Sequence, residues 1–231
     1  MRRLIPALVL AGVAQPLAAQ AYQCRIPVRT NVPVIEPDGP RRSLPVTGYT
    51  LALTCSPSFC RLREGERAYA LQCSGRTGRF GLTVHGLWPN SGDTWPQWCG
   101  SRHTPSGGEV AAHLCMAPSP HLLARQWAKH GSCMARQPAT YFRVTRILWE
   151  SLTLPDLDRV SREPGLTAGA LRAQFAAANP GWSARGVGLT LDNGWLQEIR
   201  LCYDRRFRPA ACDRRRFGPP DSAPLRIWRG L

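Results

Sequence analysis

Two histidine-bearing stretches about 45 residues apart restrict this chain more than any other feature, because each dictates the backbone around its imidazole. In the first, Phe80, Leu82 and Val84 alternate to one side and Thr83 and His85 to the other, the period of a strand with one buried face. Pro89 lacks a ladder donor and stops that pattern within His85-Gly86-Leu87-Trp88-Pro89-Asn90. His85 is thus expected to leave the core side and enter a cleft. The second stretch, Leu122 through His130, reads as a helix ended by Gly131 at C′. At about 100° per residue, Arg125, Gln126, Lys129 and His130 fall at roughly 0°, 100°, 40° and 140° and share one face. Trp127 and Ala128 point away from it. Taken singly, either histidine reads as a satisfied structural residue and the basic face as a solvated one.

The N-terminus places the chain in a compartment. Met1 to about Ala21 carries two arginines, an apolar run from Leu4 to Val13 and small residues at Ala19-Gln20-Ala21. This is the pattern of a secretory signal peptide cleaved before Tyr22. The run is too short to span a bilayer, and no later segment approaches one. Nine cysteines fit export to an oxidising compartment, the periplasm or the medium. None forms a C-x-x-C pair or a zinc spacing, so no metal or cofactor is expected.

Beyond the leader, residues 22–46 are rich in proline and poor in periodicity, and read as an extended arm. Residues 47–231 are long enough for one domain with a sizeable core. Within it, Gly48 to Cys55 alternates as a buried strand. Ser91 to Pro120 is irregular, of the kind that carries binding residues. Thr140 to Leu152 is an amphipathic helix with Phe142, Thr145, Trp149 and Leu152 on one face and Tyr141 and Leu148 close by. Thr167 caps a helix reaching Ala178, and Asp192-Asn193-Gly194 turns into a strand from Trp195 to Tyr203. The mixture lacks regular βαβ alternation. It predicts an α+β fold, an antiparallel sheet packed by helices.

The two stretches together resemble the active-site segments of the T2 family of ribonucleases, H-G-L-W-P and H-E-W-x-K-H-G-T-C. Further resemblance runs in scattered blocks from about Leu51 to Cys212: L-x-L-x-W-x-P-x-x-C at Leu51–Cys60, with Cys55 at the tryptophan position, aromatic-Pro-x-x-Cys at Trp95–Cys99, and E-I-x-L-C at Glu198–Cys202. The resemblance implies a disulfide-stapled T2-like fold and, with the spacings, bridges Cys60–Cys73, Cys99–Cys133 and Cys202–Cys212. Cys24 is expected to pair with Cys55, leaving Cys115 free. It also implies His130 as general base, His85 as general acid and Lys129 as stabiliser of the transition state. Gln126 replaces the usual glutamate. Arg125 replaces a third histidine and keeps a phosphate-binding role. Trp88, Asn90 and Trp95 match base-binding positions, and for Trp88 a core role weighs equally.

The chemistry stands without the family. RNA carries its own nucleophile, the 2′-OH, beside each phosphodiester. Cleavage needs a base for that proton, an acid for the departing 5′-oxygen and positive charge on the transition state. Two imidazoles serve because their unperturbed pKa lies near about 6.5. The formal net charge of +15, two units lower once Arg2 and Arg3 leave, attracts polyanions. Arginine clusters at 205–208 and 214–216 fit backbone contact, or a solvated tail. The reading is a monomeric endoribonuclease of low base specificity, acting on RNA without a stable protein partner or a membrane. Two other classes remain open: a cationic polyanion binder whose site has decayed at Arg125 and Gln126, and a metal-dependent nuclease that also cuts DNA.

Overall fold

The strand expected over Gly48–Cys55 forms with those bounds and is the spine of the molecule. The computed structural model describes residues 21–229 apart from 26, 28 and 29, so all of the expected leader except Ala21 lies outside the described residues. The strands are β1 (Ala21–Cys24), β2 (Gly48–Cys55), β3 (Gly78–Phe80), β4 (Leu82–Asn90), β5 (Val187–Asp192) and β6 (Trp195–Asp204). The helices are α1 (Ser56–Cys60), α2 (Ala70–Cys73), α3 (Gly107–Ala111), α4 (Pro120–Lys129), α5 (Pro138–Glu150), α6 (Leu157–Val160), α7 (Ala168–Ala178) and α8 (Arg214–Phe217).

Four strands make an antiparallel sheet in the order β4-β2-β6-β5, and β1 pairs with β3 apart from it. The α+β architecture is therefore the one the pattern predicts. Rows of paired residues explain which face is buried. Leu51 lies between Leu87 and Leu201, and Leu53 between Val84 and Ile199. All six of these leucine, valine and isoleucine residues are buried, together with Phe142, Leu148 and Trp149 of α5 and Leu171 and Phe175 of α7. The residues between them, Thr50, Ala52 and Thr54, face the opposite side, which carries the candidate site.

Local chemistry sets the element ends. Thr167 accepts from the amide of Ala170 and starts α7, as its sequence position implies. Asn193 and Gly194 adopt φ of 49° and 80°, the left-handed pair that a two-residue hairpin between β5 and β6 demands. Sequence periodicity had not singled out β5.

Four disulfides staple the chain: Cys60–Cys73, Cys99–Cys133, Cys202–Cys212 and Cys24–Cys115. The last corrects the expected Cys24–Cys55 pair with Cys115 free. Cys55 ends β2 on the core face, fully buried and unpaired, and accepts a hydrogen bond from the Ser58 hydroxyl. Cys24 lies on β1, in the other sheet, where Cys115 meets it. The arm is extended, but it is not loose from the domain: Arg42 and Gln97 exchange backbone hydrogen bonds of 2.9 and 3.0 Å. Among the described residues no helix is long and apolar enough to cross a membrane.

Candidate active site

A bulge in β4 builds one wall of the site. Leu53 pairs with Val84 and Ala52 with Gly86, which leaves His85 as an extra residue in the ladder. Alternation is thereby reset. Before the bulge Thr83 faces the cleft and Val84 the core; after it Leu87 faces the core and Trp88 and Asn90 face the cleft. Strict alternation from His85 would have turned Trp88 and Asn90 inward. The bulge puts all three on one side.

Across the sheet, Glu198 of β6 pairs with Thr54 on that same face. His85 and Glu198 meet across β2, with Nδ1 2.5 Å from Oε1. Arg200, two residues along, donates twice to the other carboxylate oxygen at 2.9 and 3.1 Å. Burial pushes the Glu198 carboxyl up, but the hydrogen bond and charge of His85, with Arg200, outweigh it and hold the group below its ordinary value. Glu198 is thus an anion at neutrality. It fixes Nδ1 of His85 as donor and leaves Nε2 for chemistry. The sequence offered a signal here, the Glu198–Cys202 block, without a role for its first residue.

Helix α4 supplies the other wall. Ser119 caps it by accepting from the amide of Leu122. Its last turn is tied to the loop after β4 by Cys99–Cys133 and by the amide of Trp98 donating to the Lys129 carbonyl. Gly131 is not the left-handed C′ residue the sequence implied. It lacks a positive φ and opens a short 3-10 turn, Gly131–Cys133. Glycine is needed there because a Cβ would lie 2.6 Å from the Trp127 ring and 2.8 Å from that of Tyr141.

The four residues read as one helical face separate into layers. Gln126 is buried, and its side-chain carbonyl accepts from the Trp88 indole at 2.8 Å. Gly86 allows this approach, since a Cβ on it would sit 2.1 Å from that oxygen. Gln126 therefore holds Trp88 and lies behind the cleft. Arg125 and Lys129 are at the rim, where both meet the carboxylate of Asp38 from the arm, Lys129 at 3.1 Å. Nothing in the arm's sequence marked Asp38.

His130 ends α4 with its side chain buried against Trp88, ring centroids 5.8 Å apart. His85 meets the same indole edge-on at 5.1 Å. Both imidazoles therefore pack against one indole. Burial first, then the charges of Lys129, His85 and Arg125, pull the His130 pKa down to about 3, against a smaller upward pull from Asp38. The ring is neutral in any ordinary buffer. Its Nδ1 is buried without a hydrogen-bond partner, so Nε2 is the nitrogen available for proton transfer.

A cleft of about 370 Å³ opens beside this pair, lined by Trp88, Asn90, Trp95, Lys129 and His130 from the expected set. Arg200, Arg215 and Arg216 line it too. Asn90 exchanges hydrogen bonds with the Thr50 hydroxyl at 3.0 and 3.4 Å. Trp95 is exposed at the rim, its indole donating to Gln97 and one ring face under the Arg42 guanidinium, 4.5 Å from the centroid. His85, Gln126 and Arg125 border the cleft's neighbourhood rather than its lining. Among the described residues no group of three or more His, Cys, Asp or Glu side chains could hold a metal ion.

Residues 47–161 match the Ribonuclease T2 family. A probable ribonuclease of Haemophilus influenzae is 30% identical over 190 residues, 75% of this chain and 64% of that protein, so the chain spans less than two thirds of this relative. A ribonuclease of Aeromonas hydrophila is 29% identical over 170 residues, 68% of this chain and 71% of that protein. An RNase-related protein from Calystegia sepium shares the fold with a TM-score of 0.61 at 21% identity, covering 78% of this chain and 97% of its own.

Proposed function

The chain belongs to the ribonuclease T2 family, and from that membership and the site's geometry we propose that it is an endoribonuclease of low base specificity. It cleaves by transesterification. Nε2 of neutral His130 takes the 2′-OH proton, the 2′-oxygen attacks the adjacent phosphorus, and the P–O5′ bond breaks. His85, protonated and held by Glu198, gives its Nε2 proton to the departing 5′-oxygen. The products are a 2′,3′-cyclic phosphate and a free 5′-OH. Lys129 and Arg125 neutralise the phosphorane-like transition state once the substrate phosphate displaces Asp38. Trp88 and Trp95 offer aromatic faces, which stack on any base.

The observation that carries this reading is the asymmetry of two histidines about one indole: one oriented by a carboxylate, the other kept neutral among cations. In the same proposal residues 1–21 are removed on export to the periplasm or the medium, and the arm, 22–46, is part of a catalytic unit completed by 47–231. The test is one digestion of RNA and of DNA in EDTA, with the RNA ends analysed. Cleavage of RNA alone, leaving cyclic phosphates, is expected. No cleavage would leave a polyanion binder. DNA cleavage, or loss of activity in EDTA, would instead indicate a metal-dependent nuclease.

A further inference from the structure

The cleft has a wall that comes from far along the chain. Helix α8, outside the residues matched to the family, lies over the loop that follows β4 and ends in Trp95. Arg216 donates to the Gly92 carbonyl from both terminal nitrogens at 3.1 Å and to the Thr94 carbonyl at 3.3 Å. Arg215 donates to the carbonyl between them, that of Asp93, at 3.2 Å. Three consecutive carbonyls of the loop thus point at two adjacent guanidinium groups. The loop's own internal ties are a pair of backbone bonds between Ser91 and Thr94. The clamp itself is fixed from behind. Asp213 holds Arg216 by its backbone amide and its guanidinium. Gly188 of β5 lets α8 approach, since a Cβ there would lie 2.0 Å from the Arg216 carbonyl. Fully buried Arg172 donates to the carbonyls of Phe217 and Pro219 and pairs with Asp221 at 2.7 Å.

We infer that Arg216, with Arg215, is a positioning residue for base recognition: it sets the height and angle at which Trp95 meets a nucleobase. The inference rests on the proposed ribonuclease reading for the identity of the ligand. Its physical basis is the fork of the guanidinium, which reaches two carbonyls at once. A lysine presents a point charge and cannot span them. Without the fork, the five-residue loop with a left-handed Gly92 (φ 58°) keeps its side contacts with Thr47 and Arg42 but loses its anchors at the Gly92 and Thr94 carbonyls, and Trp95 shifts with it.

The experiment compares the parent, Arg216→Ala, Arg216→Lys and the milder Arg215→Ala. Each is assayed on four dinucleotides differing only at one base and titrated with their 2′-O-methyl analogues, which bind but cannot react. Arg216→Ala is expected to raise KM about fivefold or more, the scale of one lost stacking contact, with kcat within about twofold. The spread of KM among the four bases should narrow, and the analogues should lose affinity in parallel. Arg216→Lys should behave like the alanine variant, and Arg215→Ala should show the same pattern more weakly. Recovery by lysine would overturn the inference, since it would mean that charge on the RNA phosphates is what matters. An unaltered spread of base preference in a folded variant would also overturn it. Should Arg216→Ala not fold, Arg216→Lys and Arg215→Ala decide the same question. The analogue titrations separate this inference from the ribonuclease reading: absence of cleavage by the parent defeats that reading, whereas binding still reports the clamp.

Discussion

His85 and His130 are the same side chain in two opposite settings. His85 sits on a strand bulge, a third exposed, with one nitrogen bound to an anion. His130 sits at a helix end, buried, with one nitrogen unpartnered and cations on either side. A sheet can bring a carboxylate across two strands to meet a side chain. A helix end surrounded by its own basic face surrounds a histidine with like charge. The difference supports the roles proposed above, in which the neutral, cation-flanked ring accepts a proton and the carboxylate-held ring gives one.

The comparison breaks most sharply under deletion. His85→Ala and His130→Ala are each expected to lower kcat about 10²–10⁴-fold while RNA is still bound by the arginine-rich surface. A variant keeping more than about a tenth of the parental rate would strip that histidine of its role. Next comes the carboxylate. Glu198→Gln should cost roughly ten- to a hundredfold in kcat, by releasing the orientation of His85. If it acts only through His85, adding Glu198→Gln to His85→Ala costs little more. Losses that multiply would show that Glu198 works elsewhere.

A smaller effect appears in stability. His130 has a pKa of about 3 when folded and near 6.5 when unfolded, so below about pH 6.5 the unfolded chain binds a proton that the native chain refuses. The stabilisation is present above that pH and is lost as pH falls toward 3, by up to about 1.4 kcal/mol per unit. Urea midpoints at pH 7 and pH 4.5 should therefore converge more in His130→Asn than in the parent. Equal drops in the two proteins would refute the buried, neutral assignment.

How much of this could be read from the sequence depended on range. Both histidines, Lys129 and the aromatic residues lie in short segments whose periodicity and motifs are local, and so do strand β2 and helix α7. What escaped was set by packing between distant segments. The bulge that turns Trp88 and Asn90 toward His85 leaves no trace in alternation, because one extra residue is silent until strands are paired. The hydrogen bond of Gln126 to Trp88 was not legible, because helical angles do not reveal which part of a polar face another element covers. Cys115 reached Cys24 over 91 positions, a distance at which spacing carries no preference.

The smallest expected effect concerns Asp38. Lys129 and Arg125 hold its carboxyl below its ordinary value, so it stays ionised. In Asp38→Asn the KM for RNA should fall about two- to threefold at low salt, and an unchanged KM would show that substrate phosphate does not use these cations.

The contact has a consequence for thermodynamics. Binding of RNA to a basic surface is driven largely by the release of condensed small ions, and the steepness of its salt dependence counts the phosphates neutralised. Asp38 is a tethered counterion. Under the proposed function, a phosphate taking its place at Arg125 and Lys129 would expel an anion that is part of the protein itself and cannot gain the entropy of dilution. This site is therefore partly hidden from the ionic strength of the medium. That exchange trades some affinity for constancy, and the log–log salt slope of KM should steepen by about one in Asp38→Asn.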